Sequence, residues 1–249
     1  MMTSALAREP SVYVYNITKN RVEYQSRSTE FRSIASITKL MTAMVALDYS
    51  DDMFRRLPLI KKIKTSLPRN RDYTRQELFD AMLVKSDNAA AETLAADYPG
   101  GRKEFIWKMN QYAKEANINA VFRDPTGLHP GNMATAGDVA NLTILAIDYT
   151  VIREASIKKA IAFEHRYKKK LNKIQLNNTN KPLLLKFNSI VISKTGFTNS
   201  AKFCVTLIVE QPQRMAIVIL GEKNPSRRTE KVKEIMYNHV VDASLQSDQ

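Results

Sequence analysis

Residues 32–50 read "RSIASITKLMTAMVALDYS", a helical pattern in which one lysine interrupts an otherwise apolar run. Ser36 lies three residues before Lys39, so a helix brings the hydroxyl and the amine onto one face. Burial lowers the pKa of a lysine and so produces the neutral amine that a general base requires. The stretch therefore predicts a serine nucleophile, Ser36, activated by Lys39. The large apolar side chains around them leave little polar surface on which the lysine could be solvated: Ile37, Leu40, Met41, Met44, Val45 and Leu47.

Two further short motifs occur once each in the chain. Residues 86–88 read S-D-N and fall between two predicted helices, where a loop can face a cleft. Residues 194–196 read K-T-G and end a predicted strand. The order S-x-x-K, S-D-N, K-T-G is typical of penicillin-binding proteins and class A β-lactamases. Any one motif can arise by chance, but the three in this order predict one shared active site.

The second motif supplies groups for proton transfer and substrate binding. Ser86 can relay a proton between Lys39 and a leaving amine. Asn88 can hydrogen-bond the substrate amide and hold Lys39 in place.

The third motif supplies groups for substrate recognition. Lys194 and Thr195 can bind a free carboxylate, one by charge and one through its hydroxyl. Gly196 leaves room for a substrate along the strand edge. The backbone N–H groups of Ser36 and Phe197 would form an oxyanion hole.

The chain is strongly basic, with a formal net charge of +13 and a pI near 9.7. Such an excess favours polyanionic surroundings: nucleic acid, anionic lipid or an acidic cell-wall polymer. It is densest over residues 152–173, "IREASIKKAIAFEHRYKKKLNK", which we interpret as an exposed, solvated helix. This segment contains a second S-x-x-K spacing, Ser156 and Lys159, which the exposed helix explains. No recognised nucleic-acid module accompanies the charge, so no nucleic-acid partner is expected.

The remaining composition excludes other classes of protein. The single cysteine, Cys204, rules out an intramolecular disulfide. His129, His165 and His239 are scattered without paired ligand spacing, which disfavours a zinc peptidase. The serine–lysine mechanism needs no metal or organic cofactor, so none is expected. No stretch reaches the roughly 20 apolar residues of a membrane span. The first ten residues, "MMTSALAREP", do not form a secretory signal; a fragment with a new Met, a cytoplasmic protein and export by another route all fit.

The order of elements predicts two lobes with a cleft between them. A hairpin over residues 11–26 is followed by helices, then by three strands and a closing helix over 226–244. Five strands in one sheet, with the first and last helices packed on it, would bring the two chain ends together. Helix starts are expected at Thr74, with Glu77 completing a capping box, and at Thr135. A mainly helical middle would form the second lobe.

Through the three motifs and longer stretches around them, the chain resembles the serine D-Ala-D-Ala peptidases, the low-molecular-mass penicillin-binding proteins. The similarity runs from about residue 10 to about residue 240. Within that family the endopeptidase branch is most similar, through "SITKLMTAMV", "NNTNKPL" and "KTGFTN". The stretches that carry the family resemblance are "IASITKLMTAMVALD", "DPTGLHPGN", "TAGDVANL" and "KTGFTNSAKFC".

The resemblance implies an α/β, penicilloyl-serine transferase fold with a five-stranded antiparallel sheet flanked by helices, beside an all-helical lobe. It implies a single domain over 1–249, with residues 10–50 and 188–249 in the α/β lobe and 51–187 in the mainly helical lobe. It also implies acyl-enzyme chemistry on peptidoglycan stem peptides, covalent inhibition by β-lactams and a place outside the cytoplasmic membrane. The chain ends after its closing helix, which favours a soluble single-domain endopeptidase. Release of a phage lysis enzyme through the membrane is an alternative to loss of an export signal.

Three other functions stay open on the sequence. A class A-like β-lactamase would use the same motifs and a glutamate on a loop between the second and third of them. The E-x-x-x-N spacing in that interval, Glu115 to Asn119, falls at the end of a predicted helix. A catalytically weak module that binds penicillin or peptidoglycan would also carry them. A nucleic-acid binder is suggested by charge alone. Carboxypeptidase and endopeptidase activities use the same residues.

Overall fold

The computed structural model describes residues 9–69, 71–167 and 170–241. The strands are β1 (Ser11–Asn16), β2 (Arg21–Ser26), β3 (Arg32–Ser33), β4 (Arg56–Pro58), β5 (Asp72–Thr74), β6 (Ala120–Val121), β7 (Met133–Ala134), β8 (Ala160–Tyr167), β9 (Lys170–Asn177), β10 (Ile190–Thr198), β11 (Lys202–Glu210) and β12 (Arg214–Glu222). The helices are α1 (Lys39–Tyr49), α2 (Arg75–Val84), α3 (Asn88–Ala96), α4 (Gly101–Glu115), α5 (Ala136–Leu145), α6 (Thr150–Ile157), α7 (Lys181–Lys186) and α8 (Pro225–Ile235).

The central sheet has five antiparallel strands in the order β10-β11-β12-β1-β2, which confirms the predicted hairpin and the three later strands. Pairing of β1 with β12 places a strand from the first part of the chain beside one from the last part, as predicted. Both faces of the sheet are covered, so β12 is apolar at nearly every position. Ala216 and Val218 face the core shared with the helices, whereas Ile217 and Ile219 face the core beneath α8.

Helix α1 is enclosed by other helices. Every residue from Lys39 to Ala46 is buried, and α1 contacts α2, α3, α4 and α5. We predicted that the first and last helices pack on the sheet. This is right for the last helix, α8, and wrong for the first, α1: the face of the sheet opposite α8 is covered mainly by α5. A helix that is apolar on all sides belongs inside a core, which explains the central position of α1.

The basic segment is not the exposed helix that we predicted. Helix α6 ends at Ile157, and residues 160–177 form the β8–β9 hairpin. Phe163 and Leu176 are buried near its base, whereas Lys170 and Lys173 are exposed. The hairpin forms because a few apolar side chains at alternate positions can be buried against α2 and β5, while the charges point to solvent. Lys168 and Lys169 lie outside the described residues.

The second S-x-x-K pair is also not on an exposed helix. Ser156 is fully buried, and its hydroxyl accepts a hydrogen bond from Ser193 N at 3.3 Å. Lys159 follows the end of α6 and is exposed. The two side chains therefore do not share a helix face.

Capping contacts confirm two predicted helix starts. Thr74 and Glu77 form a capping box at α2, and the Thr135 side chain accepts from Asp138 N at α5.

The predicted closing helix is α8 followed by a π-helical turn, Met236–Val241, and residues 242–249 lie outside the described residues. None of the described helices is long and apolar enough to span a bilayer. The assignment of residue ranges to two lobes stays a prediction.

Candidate active site

Ser36 lies in a 3-10 turn, Ala35–Thr38, that leads directly into α1. Ala35 has a φ of +46°, a conformation that an alanine adopts only with support from its surroundings. Two glycines leave the space that this turn occupies. A Cβ on Gly127 would lie 1.9 Å from Ala35 O, and one on Gly196 would lie 2.9 Å from Ser36 N. We predicted that Gly196 makes room for a substrate, and its missing side chain also makes room for this turn.

The Lys39 side chain is fully buried, and its amine has three oxygen neighbours. Nζ lies 3.0 Å from Ser36 Oγ, 2.7 Å from Asn88 Oδ1 and 2.6 Å from the Thr126 carbonyl oxygen. The two carbonyl oxygens can only accept, so they take the two hydrogens of a neutral amine. The lone pair of the nitrogen then faces the Ser36 hydroxyl, the one neighbour that can donate. This geometry suits Lys39 to remove the Ser36 proton.

Burial lowers the pKa of Lys39 from its ordinary value to about 7. The carboxylates of Asp124, Asp87 and Glu92 act in the opposite direction without cancelling the effect of burial. A substantial fraction of the molecules therefore carries a neutral Lys39 amine near pH 7, against roughly one in 2,500 for a solvated lysine. The fold thus places the lysine where the proposed base has the required protonation state.

The loop of residues 124–132 holds the carbonyl group that Lys39 contacts. Asp124 Oδ1 accepts from Thr126 N at 2.7 Å and from Gly127 N at 2.6 Å, and Oδ2 accepts from His129 N at 2.6 Å. These bonds fold the loop around one carboxylate and direct the Thr126 oxygen towards α1. Sequence reasoning assigned no role to Thr126 or Asp124. An aspartate followed closely by Pro and Gly was the available signal for such a turn.

Asp87 connects the second motif to a neighbouring loop. Its Oδ1 accepts from Ala90 N at 3.0 Å and so caps α3. Its Oδ2 accepts from Thr65 Oγ1 at 2.8 Å and from Ser66 N at 2.7 Å. The cap begins α3 at Asn88, whose side-chain oxygen contacts the Lys39 amine.

Lys194 lies behind Ser86 and not at the surface of the cleft. Its Nζ is 3.0 Å from Ser86 Oγ and donates to the Thr195 carbonyl oxygen at 2.9 Å. Burial, helped by the charges of Lys39 and Arg228, lowers the pKa of Lys194 well below its ordinary value. In this position Lys194 can orient the Ser86 hydroxyl. Its direct contact with a substrate carboxylate stays a prediction.

A cavity of about 390 Å³ joins the three motifs. Thr195 donates a hydrogen bond to Thr179 Oγ1 at 2.7 Å on one wall. Phe197 stacks on Phe203 at the rim, with ring centroids 4.3 Å apart. Lys39 and Lys194 are buried behind the lining. The lining residues are Ser36, Ser86, Asn88, Leu128, Thr179, Thr195, Gly196, Phe197, Phe203, Pro225 and Arg228.

Arg228 of α8 was missed by sequence reasoning because no local motif marks it. It lines the cavity, is only 8% exposed, and its Nε is buried without a hydrogen-bond partner among the described residues. Burial lowers the pKa of Arg228, but a guanidinium stays protonated in proteins. A desolvated cation at this place attracts an anionic group of a ligand. Within the described residues, no cluster of His, Cys, Asp and Glu is arranged to hold a metal ion.

The sequence profile of the D-alanyl-D-alanine carboxypeptidase family matches residues 7–224. The chain belongs to this family. A D-alanyl-D-alanine endopeptidase of Escherichia coli K12 is 34% identical over 94% of this chain and 74% of its own length. A D-alanyl-D-alanine endopeptidase of Pseudomonas aeruginosa is 34% identical over 70% of this chain and 58% of its own length. A D-alanyl-D-alanine carboxypeptidase of Bacillus subtilis is 29% identical over 94% of this chain and 63% of its own length.

Solved structures share the fold of this chain. A mutant of the Streptomyces K15 DD-transpeptidase superposes with a TM-score of 0.83 at 23% identity, covering 91% of this chain and 95% of that chain. Penicillin-binding protein D2 of Listeria monocytogenes, in its ampicillin-bound form, superposes with a TM-score of 0.80 at 26% identity and the same coverage. With the observed sheet, these likenesses confirm the predicted transpeptidase-like fold and the resemblance to the family.

Proposed function

We propose that this family member is a serine peptidase that cleaves D-Ala-containing peptide bonds of peptidoglycan through an acyl-enzyme. The observation that carries the proposal is the buried Lys39 amine, which lies 3.0 Å from Ser36 Oγ and within hydrogen-bond distance of two carbonyl oxygens, those of Asn88 and Thr126. Family membership and the names of the relatives support D-Ala peptides as the substrate. Penicillins would acylate the same serine, as the β-lactam-bound Listeria structures suggest.

Acylation begins when Lys39 removes the Ser36 proton and Oγ attacks the carbonyl carbon of the scissile bond. The backbone N–H groups of Ser36 and Phe197 would stabilise the negative oxygen that forms. The proton then passes from Lys39 through Ser86 Oγ to the nitrogen of the leaving amine, and the C–N bond breaks. Ser86 is held for this relay by Lys194.

Deacylation reverses the roles of these groups. Water attacks the acyl carbon, and Lys39 takes a proton from the water. The Ser36–acyl bond breaks, Ser36 recovers its proton, and the carboxylic acid product leaves. No metal or organic cofactor is required for either step.

Recognition of the carboxylate next to the scissile bond falls, in this proposal, to Arg228 and Thr195 at the wall of the cavity. Arg228→Gln is expected to lower kcat/KM for substrates with that carboxylate by about 10- to 100-fold, the range for a hydrogen bond to a charged group. Amidated substrates should be affected much less, because they present no charge to the guanidinium. The measurement is kcat/KM for matched free-acid and amidated peptides.

The neighbouring exposed arginine provides a matched control for this prediction. Arg227→Gln removes the same charge from α8, at a position outside the lining of the cavity. It should leave the preference for the free acid intact. Equal losses on both peptides in Arg228→Gln would exclude Arg228 as the carboxylate anchor. Lys194→Ala, measured in the same way, tests the anchoring role predicted for Lys194.

We propose an endopeptidase activity rather than a carboxypeptidase activity, because the two relatives at 34% identity are named as endopeptidases. Incubation with intact, cross-linked muropeptides should convert dimers to monomers, as seen by mass spectrometry of the products. Loss of a single D-Ala from each stem peptide would instead assign a carboxypeptidase. If the folded protein forms neither product, the proposed function is refuted. The same reaction with Ser36→Ala is the control.

The place of action follows from the substrate. Peptidoglycan lies outside the cytoplasmic membrane, so we propose a periplasmic or otherwise extracytoplasmic site of action. Release from a phage-infected cell is the alternative route to the same substrate.

A further inference from the structure

Exposed lysines lie on segments that are connected to the second motif. They belong to three segments that are far apart in the sequence: the loop of residues 61–69, the end of α2, and the β8–β9 hairpin with the residue that precedes it. We call them the cationic rim: Lys62, Lys64, Lys85, Lys159, Lys170 and Lys173.

The loop of residues 61–69 is fastened to the second motif. Asp87, between Ser86 and Asn88, accepts hydrogen bonds from Thr65 Oγ1 at 2.8 Å and Ser66 N at 2.7 Å. The Arg69 guanidinium closes the loop by donating to the carbonyl oxygens of Lys61 and Ile63. Lys62 and Lys64 are exposed on this closed loop.

The hairpin is fastened to the same region at its base and in the middle of β8. Arg71, just beyond the loop, donates to the Glu164 carbonyl oxygen of β8 at 2.6 Å. At the base, Thr179 follows β9, donates from its N–H to Val84 O at 3.1 Å and accepts from Thr195 in the cavity wall. The loop, Lys85 and the base of the hairpin are therefore connected to the second motif, and the strands carry Lys173 and Lys170 outward from that base.

The charge of the cationic rim is largely uncompensated. Within the described residues, no rim lysine lies within ion-pair distance of a carboxylate, whereas the nearby Lys158 pairs with Asp80 at 2.8 Å. Glu164 is the exposed acidic residue in the described parts of these segments. Clustered like charges repel one another and attract an anionic partner, so the rim fits a surface that carries many negative groups.

We propose that the cationic rim binds the polymeric substrate itself, through carboxylates on stem peptides next to the one held in the cleft. This inference rests on the proposed function, because it takes the polymer in the cleft to be peptidoglycan. Each strand of the hairpin has eight residues and so spans about 26 Å at roughly 3.3 Å per residue. That length lets the rim reach groups well outside the cavity. Such contacts raise the affinity for intact peptidoglycan and leave turnover of a small soluble fragment unchanged.

Binding to purified sacculi tests the proposal. The triple variant Lys62→Gln, Lys170→Gln, Lys173→Gln removes rim charge at exposed positions outside the catalytic groups. A control variant removes the same charge elsewhere, at Lys103, Lys114 and Lys231. Both are made in the Ser36→Ala background, so that the sacculi are not digested. We expect the rim variant to bind about tenfold more weakly at low salt, with the difference disappearing at high salt.

Equal binding by the rim and control variants would overturn the proposal. Wild-type binding to sacculi whose carboxylates have been amidated should fall to the level of the rim variant; undiminished binding would exclude carboxylates as the ligand. Tighter, rim-dependent binding to anionic vesicles or duplex DNA would assign the surface to a different partner. With Ser36 intact, both variants should cleave a soluble muropeptide at the wild-type rate. If the wild type cleaves nothing, the proposed function fails, and the binding assay still reports on the rim.

Discussion

Replacement of Ser36 by alanine is expected to abolish both peptide cleavage and covalent labelling by penicillin. Ser36 is the one hydroxyl within hydrogen-bond distance of the Lys39 amine among the described residues, at 3.0 Å, so we expect no other side chain to take over the attack. Removal of an activated serine nucleophile typically costs about 10⁴-fold or more in rate. Intact-protein mass spectrometry after incubation with penicillin measures the adduct directly, and cleavage of cross-linked muropeptides measures the activity.

The second S-x-x-K serine is the matched control for this substitution. Ser156→Ala removes a buried hydroxyl that contacts Ser193 N and lies outside the lining of the cavity. It should keep the penicillin adduct, even if it lowers stability somewhat. A persistent adduct on Ser36→Ala would show that the nucleophile has been assigned to the wrong residue.

Acylation by penicillin is expected to accelerate as the pH rises through about 7. The amine must be neutral to accept the Ser36 proton, and burial brings the pKa of Lys39 to about 7. Below that pH the protonated fraction grows, so the rate falls about tenfold for each further pH unit. Lys39→Met keeps an apolar side chain of similar length, should reduce acylation by about 10³-fold and should lose this pH dependence.

The lysine of the other S-x-x-K pair is the control for charge. Lys159→Met removes an exposed amine and should retain both the rate and the pH profile. Stopped-flow acylation between pH 5.5 and 9 is the measurement. An unchanged pH profile in Lys39→Met would assign the titration to another group and remove Lys39 from the role of base.

Local sequence patterns predicted most elements that carry the motifs. The Thr74 capping box depends on contacts between near neighbours, and the three strands at the end of the chain are marked by short runs of β-branched and apolar residues, so short patterns are sufficient to recognise them. The prediction for the basic segment was wrong because its structure depends on contacts with distant elements, which no local pattern shows. Its charges suggested an exposed helix, but burial of Phe163 and Leu176 against distant elements makes it a hairpin. The free energy gained by burying these two side chains depends on the elements that cover them, so it does not follow from the sequence of the segment alone.

The chemical groups of the candidate site follow from the sequence: a serine with a lysine one turn away, a second serine with an asparagine, and a K-T-G strand end. Their surroundings do not. The carbonyl oxygen of Thr126 beside Lys39, the burial of Lys194 behind Ser86 and the presence of Arg228 in the cavity all depend on the tertiary structure. A backbone oxygen has no side-chain signature, and the pKa of a buried amine depends on every atom that keeps water away from it. For that reason the sequence determines which groups are present, and only the fold determines their protonation and their partners.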